Sequence, residues 1–225
     1  MFCKFLHLFV SLPITIWFNF KTLSIKQAIK LPILIDYRTI IKGAKKGSII
    51  IPSNSSFAAI KYGWGNGSEG NICNNKNFLY INDSGKIIFS GKSQFALGVT
   101  LRIDNNGIIE FGKNFRANQN FSCFSNTHIK FGNNVLIGWN VNIRDSDGHR
   151  ILDISHNRIL NLNKSVEIGN NVWIASHVDI LKGSYINDNS IIGFRSLVTR
   201  KFIEKNVIIA GVPANIIKTD IKWEE

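Results

Sequence analysis

Every six residues through one long stretch of this chain, the same slot holds an aliphatic side chain. Ile168, Ile174, Ile180, Ile186, Ile192 and Val198 form an unbroken series. Four positions after each come Val172, Val178, Ser184, Ser190, Ser196 and Phe202, mostly small or β-branched. Six consecutive matches with a second slot in phase are not an effect of abundant isoleucine. A short fixed period is the mark of a parallel β-helix, in which each coil stacks on the last about 4.8 Å away. Identical slots then stack in a narrow interior that suits β-branched side chains. Such a coil is a scaffold, so its chemistry must come from whatever interrupts the period.

The interruptions divide the chain. Residues 1–40 lack the period and carry basic and apolar residues. Within them, Pro13 and Pro32 bracket a short helix, with Ser24 and Gln27 at capping-box spacing. Residues 41–85 are rich in Gly, Asn and Ser and predict irregular early coils, bent sharply at Tyr62-Gly63-Trp64-Gly65-Asn66-Gly67. Residues 86–218 carry the hexapeptides, visible at Phe89, Phe95 and Leu101, slipping, then resuming at Phe111 and again at Phe131, Ile137 and Ile143. The next slot holds His149, and the series restarts only at Ile168, so residues 150–165 leave the coil as a loop. Loops that break a regular scaffold carry function. Residues 219–225 are a short tail, and a solenoid's open end needs a cap that either terminus could supply.

Charge and cysteines narrow the setting. The 27 basic and 15 acidic residues leave a net charge of +12. Residues 1–50 hold eight bases against Asp36 alone, +7 of that total. A basic, apolar segment suits contact with an anionic membrane face, or it is a solvated lysine-rich surface. No nucleic-acid-binding motif accompanies the charge. The stretch from Met1 to Phe20 is interrupted by Lys4, His7 and Pro13, which predicts a membrane-surface or self-packing segment and not a crossing. Cys3, Cys73 and Cys123 are scattered, which argues against a disulfide framework or a zinc site and suits a cytoplasmic protein. Glycine patterns for nucleotide hydrolysis or redox cofactors are missing from the sequence.

Several segments resemble a known family. Ile168-Gly169-Asn170-Asn171-Val172-Trp173-Ile174 and Ala210-Gly211-Val212-Pro213-Ala214 resemble the hexapeptide-repeat acyltransferases. Asp145-Ser146-Asp147-Gly148-His149 resembles the subgroup that O-acetylates bacterial surface polysaccharides. Phe111-Gly112-Lys113-Asn114-Phe115-Arg116-Ala117-Asn118 resembles the galactoside and maltose acetyltransferases. The resemblance implies an all-β, left-handed parallel β-helix with a partly helical N-terminal segment; the period itself does not reveal the hand. It also implies acetyl-CoA as co-substrate, no metal, a homotrimer with sites between neighbours, and a carbohydrate acceptor; the basic N-terminus and the net charge of +12 suit an acceptor that is acidic or lipid-linked.

Acetyl transfer to a hydroxyl needs a base, donors for the oxyanion and a groove for coenzyme A. His149, at the break, is the base candidate; imidazole ordinarily titrates near neutrality. The other reading is a corner histidine that caps a turn. Asp145 or Asp147 orients the ring through its second nitrogen, or stabilises a turn. By resemblance, Trp173 borders the acetyl groove, with packing beneath the loop as its alternative. Likewise Asn118 steadies the tetrahedral intermediate, or is simply a ladder asparagine. The resemblance places coenzyme A along Trp173, Ser176, Gly193, Phe194, Thr199, Arg200, Pro213 and Lys218, with Arg195 adding charge for the phosphates. Phe194 departs from the small residue usual there. Trp139 and Arg150 are acceptor-side candidates. Three rivals stand beside this reading: N-acetylation of an amino-sugar nucleotide, a γ-carbonic-anhydrase-like metal enzyme built on His128, His149, His156 and His177, and a non-catalytic β-helix.

Overall fold

Short strands, all parallel except the last strand of the first face, build three long faces of nine, seven and seven strands among the described residues. The computed structural model describes residues 2–64, 76–82 and 84–224, with side chains from Leu6 onward. Cys73 and the Gly65-Asn66-Gly67 part of the expected bend lie outside the described residues. Along the coil, consecutive strands lie on different faces, and the chain returns to a given face one coil later. Trp173–Ile174 lies on the first face, Asp179–Ile180 on the second and Tyr185–Ile186 on the third. Ile168 faces Ile186, Ile174 faces Ile192 and Ile180 faces Val198, each pair 18 residues apart. Three hexapeptides therefore close one coil. All six residues of the primary slot series are at most 1% exposed, and those of the second slot are buried with them, at most 2% exposed.

The slips in the period are longer strands. Thr100–Ile103 and Ile108–Phe111 each turn two residues inward, Leu101 with Ile103 and Ile109 with Phe111. Phe89 accordingly faces Phe111 at 22 residues, and Phe111 faces Phe131 at 20. The wider coils hold a run of phenylalanines. The Phe111 ring lies nearly parallel to those of Phe89 and Phe131, 5.2 Å from each, and edge-on to Phe95.

Left-handed backbone turns the corners, and asparagine supplies it. Asn114, Asn134, Asn171 and Asn189 all have φ between 52° and 58°. Their side-chain amides form a ladder, each Nδ2 donating to the next Oδ1 at 2.9–3.0 Å. Asparagine tolerates this region because its amide finds a local partner. Beside that ladder runs a column of glycines. A Cβ on Gly112 would sit 2.2 Å from the Gly132 oxygen, and one on Gly132 would sit 2.5 Å from Gly169.

Both ends are capped. At the C-terminal end, Ile208–Gly211 turns back as Ala214–Lys218, antiparallel, where the hexapeptide coil was expected to run on to residue 218. At the other end, helix α1 spans Phe2–Thr22 and helix α2 spans Ile25–Ala28. The short α2 lies between the two bracketing prolines, whereas α1 runs straight through Pro13. The proline ring forfeits one helical hydrogen bond, on an exposed face, while the opposite face is anchored to the coil. That anchor is the free edge of strand β1 (Ile33–Ile35). Asn19 Nδ2 donates to the Ile33 oxygen at 2.7 Å, and Ile33 N donates back to Asn19 Oδ1. Thr15 makes the same exchange with Ile35, and Ser11 accepts from Tyr37 N. Side chains four residues apart on one helix face thus stand in for a missing strand. Phe18, 1% exposed, plugs the interior between them.

Asp36 locks this cap. Its fully buried carboxylate is clasped by Arg38 through Nε and Nη2 at 2.9 Å, and by His7 Nε2 at 2.5 Å. Burial works to raise its pKa, but the Arg38 and His7 hydrogen bonds outweigh that, and it titrates below the ordinary 3.8. A carboxylate with a lowered folded-state pKa stabilises fully above its unfolded value and loses that contribution as pH falls through the folded one. Asp36→Asn is therefore expected to cost about 2 kcal/mol near neutrality. Its penalty should shrink below pH 3.8, where wild type loses the same contribution. Urea unfolding of both proteins at the two pH values measures this.

Candidate functional site

The coil opens at the corner between the second and third faces. Asn142–Arg144 is the last strand before the break, and Val166–Ile168 is the first after it. Asp145 forms the neck. Its side chain is fully buried and accepts from Ser125 Oγ, Asn126 N, Thr127 N and Thr127 Oγ1 at 2.7–3.0 Å. Its carbonyl receives Lys164 N at 3.1 Å, which closes the base of the excursion. The loop thus departs a few residues before position 150, because four donors on the preceding coil hold Asp145 in. Among the described residues these hydrogen bonds hold the Asp145 carboxylate at the neck, as the turn-stabilising reading has it, and none joins it to the imidazole.

Beyond the neck the chain makes a small hairpin, Leu152–Asp153 against Arg158–Ile159. His149 and Arg150 lie exposed on its rising limb. Asn161, on the returning limb, holds the loop together by donating to the His149 carbonyl at 2.8 Å and to Asp147 Oδ2 at 2.9 Å. Lys182, one coil on, donates to the same Asp147 oxygen at 2.5 Å and to the Asn161 carbonyl at 3.0 Å. Hydrogen bonds from Lys182 and then Asn161 keep the Asp147 carboxyl below the ordinary range. Asp147 therefore fastens the backbone that carries His149. The His149 side chain is exposed, and among the described residues no hydrogen bond reaches its ring.

A second group lines the corner between the first and second faces. Asn118, Trp139, Ser176, and Gly193 with Phe194 occupy equivalent turns of successive coils. Asn118 Nδ2 donates to the Ile137 carbonyl at 3.1 Å, and Trp139 N donates to Ser176 Oγ at 3.0 Å. Phe194 is 60% exposed, with Arg195 stacked over it at 5.4 Å and the His177 ring edge-on at 5.4 Å. Thr199 and Arg200 stand instead on the corner that carries His149. Arg200 Nη2 donates to Asn215 Oδ1, and Asn215 Nδ2 to the Pro213 carbonyl. Lys218 lies exposed beside Ile208 at the end of the terminal hairpin. One chain thus displays two sets of candidates on two corners, with the second face between them. A hexapeptide side spans roughly 15–20 Å at strand rise, far beyond hydrogen-bond reach.

The histidines do not converge. His7 pairs with Asp36, His128 with Glu110 and His156 with Asp153, while His177 contacts Phe194 and Asn140. Among the described residues no group of three or more metal-ligating side chains is assembled. An apolar void at the N-terminal end, lined by Phe18, Ile33, Tyr62 and Leu101 among others, belongs to the core and is remote from the break.

Comparison with known proteins agrees with this architecture. A family model described as bacterial transferase hexapeptide (six repeats) matches residues 165–200. The putative lipopolysaccharide biosynthesis O-acetyl transferase WbbJ of Escherichia coli K12 is 34% identical over 149 residues, 62% of this chain and 74% of that protein. The chain belongs to the hexapeptide-repeat acetyltransferase family. The galactoside O-acetyltransferase of Escherichia coli K12 is 42% identical over 110 residues, 49% of this chain. The chain spans about half the length of that relative, 53%. The crystal structure of the polysialic-acid-specific acetyltransferase NeuO superposes with a TM-score of 0.61 at 19% identity, covering 86% of this chain and 79% of that one. Its fold is the left-handed parallel β-helix, and this hexapeptide-repeat coil shares it.

Three participants in this hexapeptide-repeat coil escape a reading of the sequence. Asn161 and Lys182 act through contacts across the break, with no local signal. Trp223 is the third. Its indole donates to the Asn171 carbonyl at 2.7 Å, and its ring lies 6.2 Å from the outward Trp173. The tail thereby walls one side of Trp173, and a lone tryptophan in a polar terminus was the one available hint.

Proposed function

We propose that the chain transfers an acetyl group from acetyl-CoA to a hydroxyl of a bacterial surface polysaccharide or of its lipid-linked precursor, in the cytoplasm. One observation supports this most: an exposed imidazole stands on a break of a coil whose neighbouring corner carries an amide donor and an aromatic, basic row. The relatives that act on galactosides, and those named for lipopolysaccharide and polysialic acid, favour a sugar acceptor.

The chemistry runs in one ternary complex. The acceptor oxygen attacks the thioester carbonyl carbon while His149 takes the hydroxyl proton. The carbonyl electron pair moves onto oxygen, where Asn118 Nδ2 donates to it. Collapse of the intermediate breaks the carbon–sulfur bond, and the thiolate takes up the proton from the imidazolium. Trp173 and Ser176 border the acyl end, Phe194 flanks the carrier and Arg195 meets its phosphates, with Arg200 supplied from the His149 corner of the neighbouring copy and Lys218 from the terminal hairpin. Trp139 and Arg150 face the acceptor. Because His149 and Asn118 stand on different corners, the active unit is a homotrimer in which one copy's loop meets its neighbour's row.

Release of free thiol from acetyl-CoA, followed across acceptors bearing either hydroxyl or amino groups, tests the reading. Turnover with a hydroxyl sugar supports it. Turnover confined to an amino-sugar nucleotide moves the chain to N-acetylation, and failure to bind acetyl-CoA by calorimetry removes the enzymatic reading altogether.

A further inference from the structure

Helix α1 is built inside out. Its buried side is largely polar: Ser11, Thr15, Asn19 and Thr22 are at most 1% exposed and are spent on hydrogen bonds, three of them to the β1 edge and its continuation. At 100° per residue, Leu6, Phe9, Val10, Pro13, Ile16, Trp17 and Phe20 centre on the opposite side. That side faces away from the protein, with Phe9 65%, Trp17 47% and Phe20 47% exposed. Ile25 and Ile29, 64% and 67% exposed, extend the surface past α2. An apolar patch of this continuity marks a contact surface.

Its chemistry selects the occupant. Lys21, Lys26 and Lys30 are exposed beside the patch, and residues 1–35 contain no acidic residue. The Lys21 ammonium lies 4.7 Å over the Trp17 ring, an aromatic–cation pair suited to the boundary between headgroups and acyl chains. No helix among the described residues is long and apolar enough to cross a bilayer. The patch also sits over the terminal strand of the coil, at its end. Association of coils side by side would leave it free, and would point every copy's patch the same way.

We propose that the outer face of α1 and α2 docks on an anionic lipid bilayer, lying in its interface without crossing. The sequence supplies the lysines and the aromatics, and the β1 edge forces the apolar side outward. This surface is independent of the acetyl-transfer reading, so either can fail alone.

Flotation of the full chain with phosphatidylcholine vesicles, with and without phosphatidylglycerol, is the test. Wild type is expected to float with the phosphatidylglycerol vesicles and to release as salt rises. The triple variant Phe9→Ser, Trp17→Ser, Phe20→Ser, altered only on the outward side, should bind at least about tenfold more weakly. Lys21→Glu, Lys26→Glu, Lys30→Glu should lose at least about tenfold on the anionic vesicles. Circular dichroism checks that both remain folded. Wild type that floats with neither vesicle overturns the proposal, as does a serine variant that binds undiminished. A serine variant whose sedimentation mass falls below that of wild type assigns the patch to contact between copies and overturns it equally.

Discussion

His149→Ala is expected to leave the coil folded and able to bind acetyl-CoA while lowering turnover about 10³-fold, the usual worth of a positioned general base. The substitution removes an exposed ring with no hydrogen-bond partner among the described residues, so stability should not change. Thiol-release kinetics, calorimetry with coenzyme A and thermal unfolding separate the three quantities. A near wild-type rate would remove His149 from the mechanism. The geometry adds a sharper test. His149 and Asn118 stand on different corners of one chain, so the site proposed above would need two copies. His149→Ala and Asn118→Ala, each weakly active alone, should complement when co-refolded. Random mixing restores both groups at about a quarter of the interfaces. Absence of recovery in mixtures shown to exchange subunits would confine the site to a single chain.

Phe111→Ala should destabilise by about 3–5 kcal/mol, the cost of truncating a fully buried aromatic. Phe111 is 0% exposed and contacts four other phenylalanines, stacked on Phe89 and Phe131 and angled against Phe95 and Phe115. Its neighbours are fixed by strand pairing above and below, so they cannot collapse into the space. Phe111→Leu keeps most of the volume and should cost about 1 kcal/mol. Urea denaturation of the pair measures the difference, and equal costs would mean that the core relaxes around the missing ring. Because each coil contacts only the next, the loss should be felt first in the wide coils from residue 77 to residue 131.

The repeat was legible because it is local. Each hexapeptide turns the same two positions inward, and they return every six residues whatever the rest of the molecule does. Ile168 to Val198 could therefore be assigned to the core from spacing alone. The slips near Leu101 and Phe111 were visible as interruptions, but not as longer strands with two inward residues. A strand's length is set by the coil it must pair with. The break at His149 was found for the same reason as the repeat: an aliphatic slot was missing.

What remained hidden depends on residues far apart. Asp145 looked like a partner for His149 because it is near in sequence, yet four donors on residues 125–127 draw it into the neck. Trp223 meets Trp173 across 50 residues of chain.

The sequence by itself determined the coil, its bore and the place where it opens, since a stacked repeat needs only the same small choice made over and over. Only the tertiary structure decided that α1 turns its polar side in and its greasy side out. A helix has no preferred face until it meets a surface, and the surface here was a strand edge with unpaired backbone groups. The same folding set the imidazole and the amide on separate corners, a consequence of the number of residues per side that no single residue reveals.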